Sequence, residues 1–217
     1  MNTLTEKSTI LFIPGMACTS QIWDALELLP HYFNCVYLDW PEHSSTFENL
    51  DDCAKWVTEM VKEHDATIVV GHSLGGLGIL KAMEKNLIQP EKAIIIESFL
   101  NVPNEFFKKF VGPYASDELE KNLHEMFNTN RNHFSEKLRL FLREKISSKC
   151  IDIKKIENAF FLYGMRGEED SDKVLNLLPF LQDLNDSNSI GLLPYSGHFP
   201  MIEEPEEFEE AINEFLD

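Results

Sequence analysis

The stretch of this sequence best suited to chemistry is Gly71-His72-Ser73-Leu74-Gly75-Gly76. An apolar, β-branched run from Ala66 to Val70 leads into it, and a helix-compatible stretch, Leu77 to Lys85, leads out. Glycines two before and two after Ser73 give the Gly-x-Ser-x-Gly spacing of a nucleophile elbow. In that turn the chain passes from strand to helix so tightly that a Cβ at either glycine clashes with neighbouring backbone. The serine is lifted above the sheet edge at a helix N-terminus, where backbone N–H groups and the helix dipole favour an oxyanion. A serine hydroxyl is a poor nucleophile at neutral pH and needs a base within hydrogen-bond reach, a task that suits the pKa of histidine. A plain strand-to-helix turn with a solvated serine shows the same five residues, so the surrounding elements decide its meaning.

Those elements alternate. Ser8 to Ile13 is a short apolar run ended by Pro14-Gly15, a strand feeding a loop. Thr19 or Ser20 is placed to start a helix through Trp23, Leu26 and Leu29 that Pro30 stops. Phe33 to Leu38 is a second strand, followed by Asp39-Trp40-Pro41. A helix from about Asn49 carries Leu50, Cys53, Ala54, Val57, Met60 and Val61 at helical spacing. The strand and helix of the elbow follow, then a strand at Ala93 to Ile96. Such alternation predicts an α/β fold: a mostly parallel sheet with right-handed crossovers and helices on both faces. From Phe99 to Ile156 the rhythm breaks. Three apolar-periodic pieces, Phe106 to Val111, Leu119 to Phe127 and Phe134 to Ile146, predict a helical insertion. Strands resume at Ala159 to Tyr163 and Ile190 to Leu193, separated by a helical piece from Val174 interrupted at Pro179. A final helix starts near Pro205 with Phe208, Ala211, Ile212, Phe215 and Leu216 on its apolar face. The acids of Glu203 to Asp217 are expected to form its solvated face. The expected organisation is a core of residues 1–98 and 157–217, about six strands in all, with residues 99–156 inserted.

Composition narrows the function classes. The 217 residues are 43% hydrophobic and 26% charged, ordinary values for one soluble globular domain. The net charge of −18 argues against nucleic acid and against an anionic membrane surface. The charge is uneven. Residues 101–156 hold 11 Lys/Arg and 8 Asp/Glu (+3), and the rest hold 8 and 29 (−21). With no apolar run long enough to span a bilayer and no export signal at the start, the expected location is the cytoplasm. Cys18, Cys35, Cys53 and Cys150 are scattered, without a CxxC or metal-like pairing with histidine, and are expected to be reduced core residues.

Three blocks make the chain resemble an α/β-hydrolase: Phe12-Ile13-Pro14-Gly15-Met16 after the first strand, the elbow, and Ser196-Gly197-His198-Phe199-Pro200 before the last helix. The family's triad runs serine, acid, histidine along the chain. The resemblance therefore implies Ser73 as nucleophile and His198 as base. His72 is expected to support the turn, and His43, near the same edge, is a further pocket candidate. The acid is expected on the loop after the Ala159–Tyr163 strand. The family's glycine, two residues, aspartate pattern matches Gly167-Glu168-Glu169-Asp170, which selects Asp170; Glu169, Asp172 and Glu97 stay open as alternatives. Backbone amides of Met16 and Leu74 are the expected oxyanion donors. The insertion lies where the family carries its cap, so Phe99, Leu100 and Trp40 are expected to bind substrate, with Phe106, Phe107, Phe110 and Phe127 as further pocket candidates. The implied activity is hydrolysis of a small-molecule carboxylic ester or thioester through an acyl-enzyme, with no metal and no cofactor. Alternatives are an esterase for acyl groups on acyl carrier protein, which Lys108, Lys109, Arg139, Arg143 and Lys149 would meet; an acyltransferase or lyase; and a non-catalytic binding protein on the same fold.

Overall fold

The computed structural model describes residues 7–217. Strands β1 (Thr9–Ile13), β2 (Asn34–Tyr37), β3 (Ile68–His72), β4 (Lys92–Ile96), β5 (Ala159–Gly164) and β6 (Ser189–Leu193) form one sheet in the order β2-β1-β3-β4-β5-β6. Every neighbouring pair is parallel. β1, β3, β4 and β5 are buried almost throughout, which is why they are written as continuous apolar runs rather than alternating ones. Successive side chains still leave on opposite faces. Leu11, Ile13, Val69, Ile95 and Phe161 join one core cluster, while Ile10, Phe12, Val70, Ile94 and Leu162 join the other. Each fully buried Leu, Ile or Phe contributes about 1.5–3 kcal/mol, so the two faces together dominate stability.

The helices are α1 (Leu29–Tyr32), α2 (Leu50–Glu63), α3 (Leu74–Glu84), α4 (Asp117–Asn130), α5 (Glu136–Glu144), α6 (Ser171–Asn176), α7 (Pro200–Glu203) and α8 (Pro205–Leu216). α2 starts where its sequence says it should, with the Asn49 side chain accepting the Asp51 amide at 2.8 Å. α2 and α3 cover the first face; α8 and the segment around Trp23 and Leu29 cover the second. The chain leaves β1 towards β2 and leaves β3 towards β4, in opposite directions across the sheet. The strand order therefore reverses between β1 and β3. In open parallel sheets the crevice forms outside the carboxyl ends of the strands at such a reversal. Met16 follows β1 and Ser73 follows β3, so both lie there.

Several boundaries differ from the sequence reading. The stretch from Thr19 to Leu29 is not one helix. It is a 3₁₀ turn at Ser20–Trp23, then a gap, then α1, which Pro30 opens rather than stops. The gap persists because a carboxylate from α8 holds its backbone: Glu209 accepts the amides of Glu27, Leu28 and Leu29. Between β4 and β5, α4 and α5 match two of the three periodic pieces. The third, Phe106 to Val111, is a run of turns. Its backbone serves other partners: the Phe110 carbonyl accepts the His198 amide at 3.1 Å. The acidic C-terminal segment is not wholly a solvated face. Glu203, Glu204 and Glu209 turn inward and each accepts backbone N–H groups. Among the described residues no helix is long and apolar enough to cross a membrane.

Candidate active site

Ser73 sits between β3 and α3 with φ 51° and ψ −113°, a backbone conformation that a side chain rarely adopts. The glycines make this turn affordable. A Cβ at Gly71 would lie 2.5 Å from the Gly76 nitrogen, and one at Gly75 would fall on the carbonyl oxygens of Ile13 and Pro14. The Ser73 amide donates to the Ile96 carbonyl at 2.8 Å, and the Ser98 hydroxyl donates to the Ser73 carbonyl at 2.9 Å. Both main-chain groups of Ser73 are thus fixed, and its side chain makes no cap to α3. The Leu74 amide, first in α3, has no acceptor within the helix. Met16 lies on the loop after β1, and the Trp40 indole holds that loop by donating to the Pro14 and Gly15 carbonyls at 3.1 and 3.0 Å.

His198 is held from three sides. Its amide donates to Phe110, and its carbonyl accepts from His72 Nε2 at 2.8 Å. The amides on either side, Gly197 and Phe199, both donate to Glu203 Oε1 at 3.0 Å, while Glu203 Oε2 takes the Gly112 amide. Burial raises the Glu203 pKa, against the pull of those amides. His72 itself is fully buried, and burial followed by the neighbouring His198 pushes its pKa down to about 3. It is therefore a neutral support for the turn and not a base, as expected. Cys18, beside the same loop, is pushed up to about 12 by burial and has no thiolate chemistry to offer.

The acid beside His198 is Glu97, not Asp170. Glu97 Oε2 lies 3.1 Å from His198 Nδ1. The carboxylate is fully buried and also accepts the Gly164 amide at 2.7 Å and both terminal nitrogens of Arg166, Nη1 at 3.1 Å and Nη2 at 2.6 Å. Burial alone would raise its pKa. The Arg166 charge, then the His198 hydrogen bond, overcome that and hold it at about 2. Glu97, like Ser73, has a positive φ, 46°, so two neighbouring strands end in strained residues at one edge. Asp170 instead caps α6, accepting the Lys173 amide at 3.3 Å on the exposed side of the loop. The physical reason is one of register. β5 ends at Gly164, and the position three residues on is Gly167, which has no carboxylate to offer. Glu169 lies on the same exposed loop, and Asp172 is exposed in the first turn of α6. Arg166 and Glu203 were not legible as site residues. The one signal for Arg166 was an arginine two residues after an apolar strand, where burial demands a partner acid.

Ser73 and His198 open onto one cavity of about 300 Å³, also lined by Met16, Leu77, Phe99, Phe107 and Leu142. Phe99 forms part of its wall and stacks towards His198 with ring centroids 6.3 Å apart. Leu100 is not in that wall: it is fully buried in the core. Trp40 is not in it either. It packs on Trp56 at 4.6 Å and faces a separate groove, so its part is to hold the Met16 loop. His43 packs on Phe47. Phe107 and Phe110 line the cavity, while Phe106 packs against the Arg166 guanidinium. A half-buried serine at the sheet edge, an imidazole with its Nδ1 held by a buried carboxylate, and an uncapped helix amide together suit acyl transfer. Among the described residues no cluster of histidine, cysteine and acids has the make-up to hold a metal.

Comparison with known proteins agrees with the fold. The model of a family described as the alpha/beta hydrolase family matches residues 10–211. A curated protein of Haemophilus influenzae, provisionally named 2-succinyl-6-hydroxy-2,4-cyclohexadiene-1-carboxylate synthase, is 28% identical over 94% of this chain and 95% of its own. Among solved structures, the carboxylesterase CesB of Bacillus subtilis superposes with a TM-score of 0.70 at 14% identity, covering 98% of this chain and 84% of that one. MenH from S. aureus superposes with a TM-score of 0.68 at 17% identity, covering 99% and 95%.

Proposed function

The chain belongs to the alpha/beta hydrolase family, and from that premise we propose that it is a serine hydrolase of small carboxylic esters or thioesters, with Ser73, His198 and Glu97 as its triad. The observation that carries this reading is the Glu97–His198 pair at 3.1 Å, fixed by Arg166 and opening onto the cavity that also holds Ser73. Glu97 accepts a hydrogen bond from His198 Nδ1–H and stays ionised, leaving Nε2 free to take the Ser73 proton. Ser73 Oγ attacks the carbonyl carbon, and the amides of Met16 and Leu74 hold the oxyanion. His198 then gives its proton to the leaving alcohol or thiol. Water, deprotonated by His198, releases the acid and restores the serine. Residues 99–156 act as the cap. The cavity is apolar and, at about 300 Å³, at the small end for ligand sites, which favours a short or medium acyl chain.

The name of the Haemophilus influenzae relative, a synthase, favours one second reading: His198 acts as base directly on a bound substrate, with no acyl-enzyme. Turnover of p-nitrophenyl esters of increasing acyl length, run beside Ser73→Ala, separates the two. The hydrolase reading expects a clear optimum of chain length and a loss of at least 10³ in kcat for Ser73→Ala. Equal rates in parent and variant refute it.

A further inference from the structure

The segment 101–156 carries +3 in a chain of −18, and its arginines are not spread evenly over the surface. Arg131, Arg139 and Arg143 line a single open groove of about 620 Å³ with Phe127, Met16 and Leu142. Met16 and Leu142 also line the Ser73 cavity, so the two spaces meet at the residue whose amide is placed to hold the oxyanion. The groove contains one acid of its own, Glu136. Arg143 has a neighbour in Glu144 at 2.6 Å, both well exposed. Arg139 is different. Its Nε is buried with no hydrogen-bond partner, and Nη1 has only the Asn132 side-chain Oδ1 at 3.4 Å. A guanidinium with unused donors beside an active-site cavity is an incomplete ion pair. Its planar fork matches a carboxylate.

We propose that this groove is a subsite for a carboxylate on the part of the substrate that lies outside the apolar cavity, with Arg139 as its main partner and Arg131 and Arg143 adding charge. The substrate class is then an ester or thioester with an apolar acyl half and an anionic alcohol or thiol half. A molecule of that kind spans both spaces with its carbonyl at Met16 and Ser73. This deepens the proposed function and rests on it for where the reacting carbonyl sits. A simple solvated cationic face would favour the charged ligand over the neutral one by only a few-fold, because exposed pairs are worth little.

The test uses a matched pair, meta-carboxyphenyl butyrate and meta-carbamoylphenyl butyrate, which differ in charge and hardly in shape. The expected result is a kcat/KM ratio favouring the carboxylate in the parent, carried by KM, and falling about 10–100-fold in Arg139→Gln. The ratio also falls as salt rises. A ratio near one in the parent, or equal losses for both esters in Arg139→Gln, overturns the subsite. Calorimetric binding of the same two esters to Ser73→Ala protein reads the subsite without chemistry. If the parent cleaves neither ester but Ser73→Ala binds the carboxylate preferentially through Arg139, the subsite stands and the hydrolase reading falls. If Ser73→Ala shows no preference, the subsite falls whatever the rates.

Discussion

Replacing Glu97 by glutamine separates the acid that touches His198 from the acids on the exposed loop. The carboxylate receives four donors: the Gly164 amide, Nη1 and Nη2 of Arg166, and His198 Nδ1. A glutamine keeps one acceptor oxygen and presents an NH₂ in place of the other. With the oxygen on Gly164 and Arg166 Nη1, the NH₂ meets Nδ1. His198 must then accept at Nδ1 and carry its proton on Nε2, the tautomer that cannot take a proton from Ser73. The amide substitution of a triad acid costs on the order of 10³–10⁴ in kcat, or about 4–5.5 kcal/mol of barrier. Stability falls too, because Arg166 is fully buried and loses its charged partner. Breaking a buried pair on one side costs about 3–5 kcal/mol, which for a chain of this size lowers Tm by roughly 6–20 °C. The assay is kcat/KM on p-nitrophenyl butyrate well below the lower Tm, with circular dichroism confirming fold. Asp170→Asn, assayed alongside, is expected to stay within about threefold of the parent, since asparagine keeps the exposed helix cap and only the charge is lost. A hundredfold loss in Asp170→Asn with near-parental Glu97→Gln would refute the assignment.

Three further outcomes follow from the same geometry. The Glu97 pKa is depressed to about 2 from an ordinary 4.5, so its contribution to stability is present above pH 4.5 and lost as pH falls through 2; urea midpoints of parent and Glu97→Gln should converge as pH drops from 5 to 2, and a constant gap would contradict the pairing. Gly75→Ala places a methyl on the carbonyl oxygens of Ile13 and Pro14, and is expected to cost about 2–3 kcal/mol or more in denaturant titration with loss of activity; a parental midpoint would mean the turn is not so tight. Glu203→Gln weakens the anchoring of the amides on both sides of His198, and is expected to cost about 2–4 kcal/mol of stability and about tenfold in kcat; unchanged melting and turnover would remove Glu203 from the site.

The sheet was legible because its signals are local. Apolar runs such as Ala159 to Tyr163, punctuated by Pro and Gly, are dictated by burial on both faces, and Gly71 and Gly75 are dictated by backbone contacts two residues from Ser73. What failed to show in the sequence depends on partners far along the chain. Glu97 and Arg166 are 69 residues apart, and neither can be read as buried until β4 and β5 lie side by side. Glu209 reaches Leu28 across 181 residues and keeps a helix from forming where the hydrophobic spacing suggested one. Phe106 to Val111 has helical spacing too, but its Lys109 and Phe110 carbonyls are taken by Arg166 Nε and the His198 amide from far along the chain. Asp170 matched a spacing counted from Gly167, whereas the glycine that ends the strand is Gly164.

Treating parent, His198→Ala and Glu97→Gln proteins with a fluorophosphonate, and locating the adduct by peptide mass spectrometry, asks whether Ser73 is a nucleophile driven by His198 and Glu97. One adduct is expected in the parent, on the peptide containing Ser73, with labelling slowed about 10³-fold or more in both variants. No adduct on Ser73, or labelling at the parental rate in Glu97→Gln, would contradict that role.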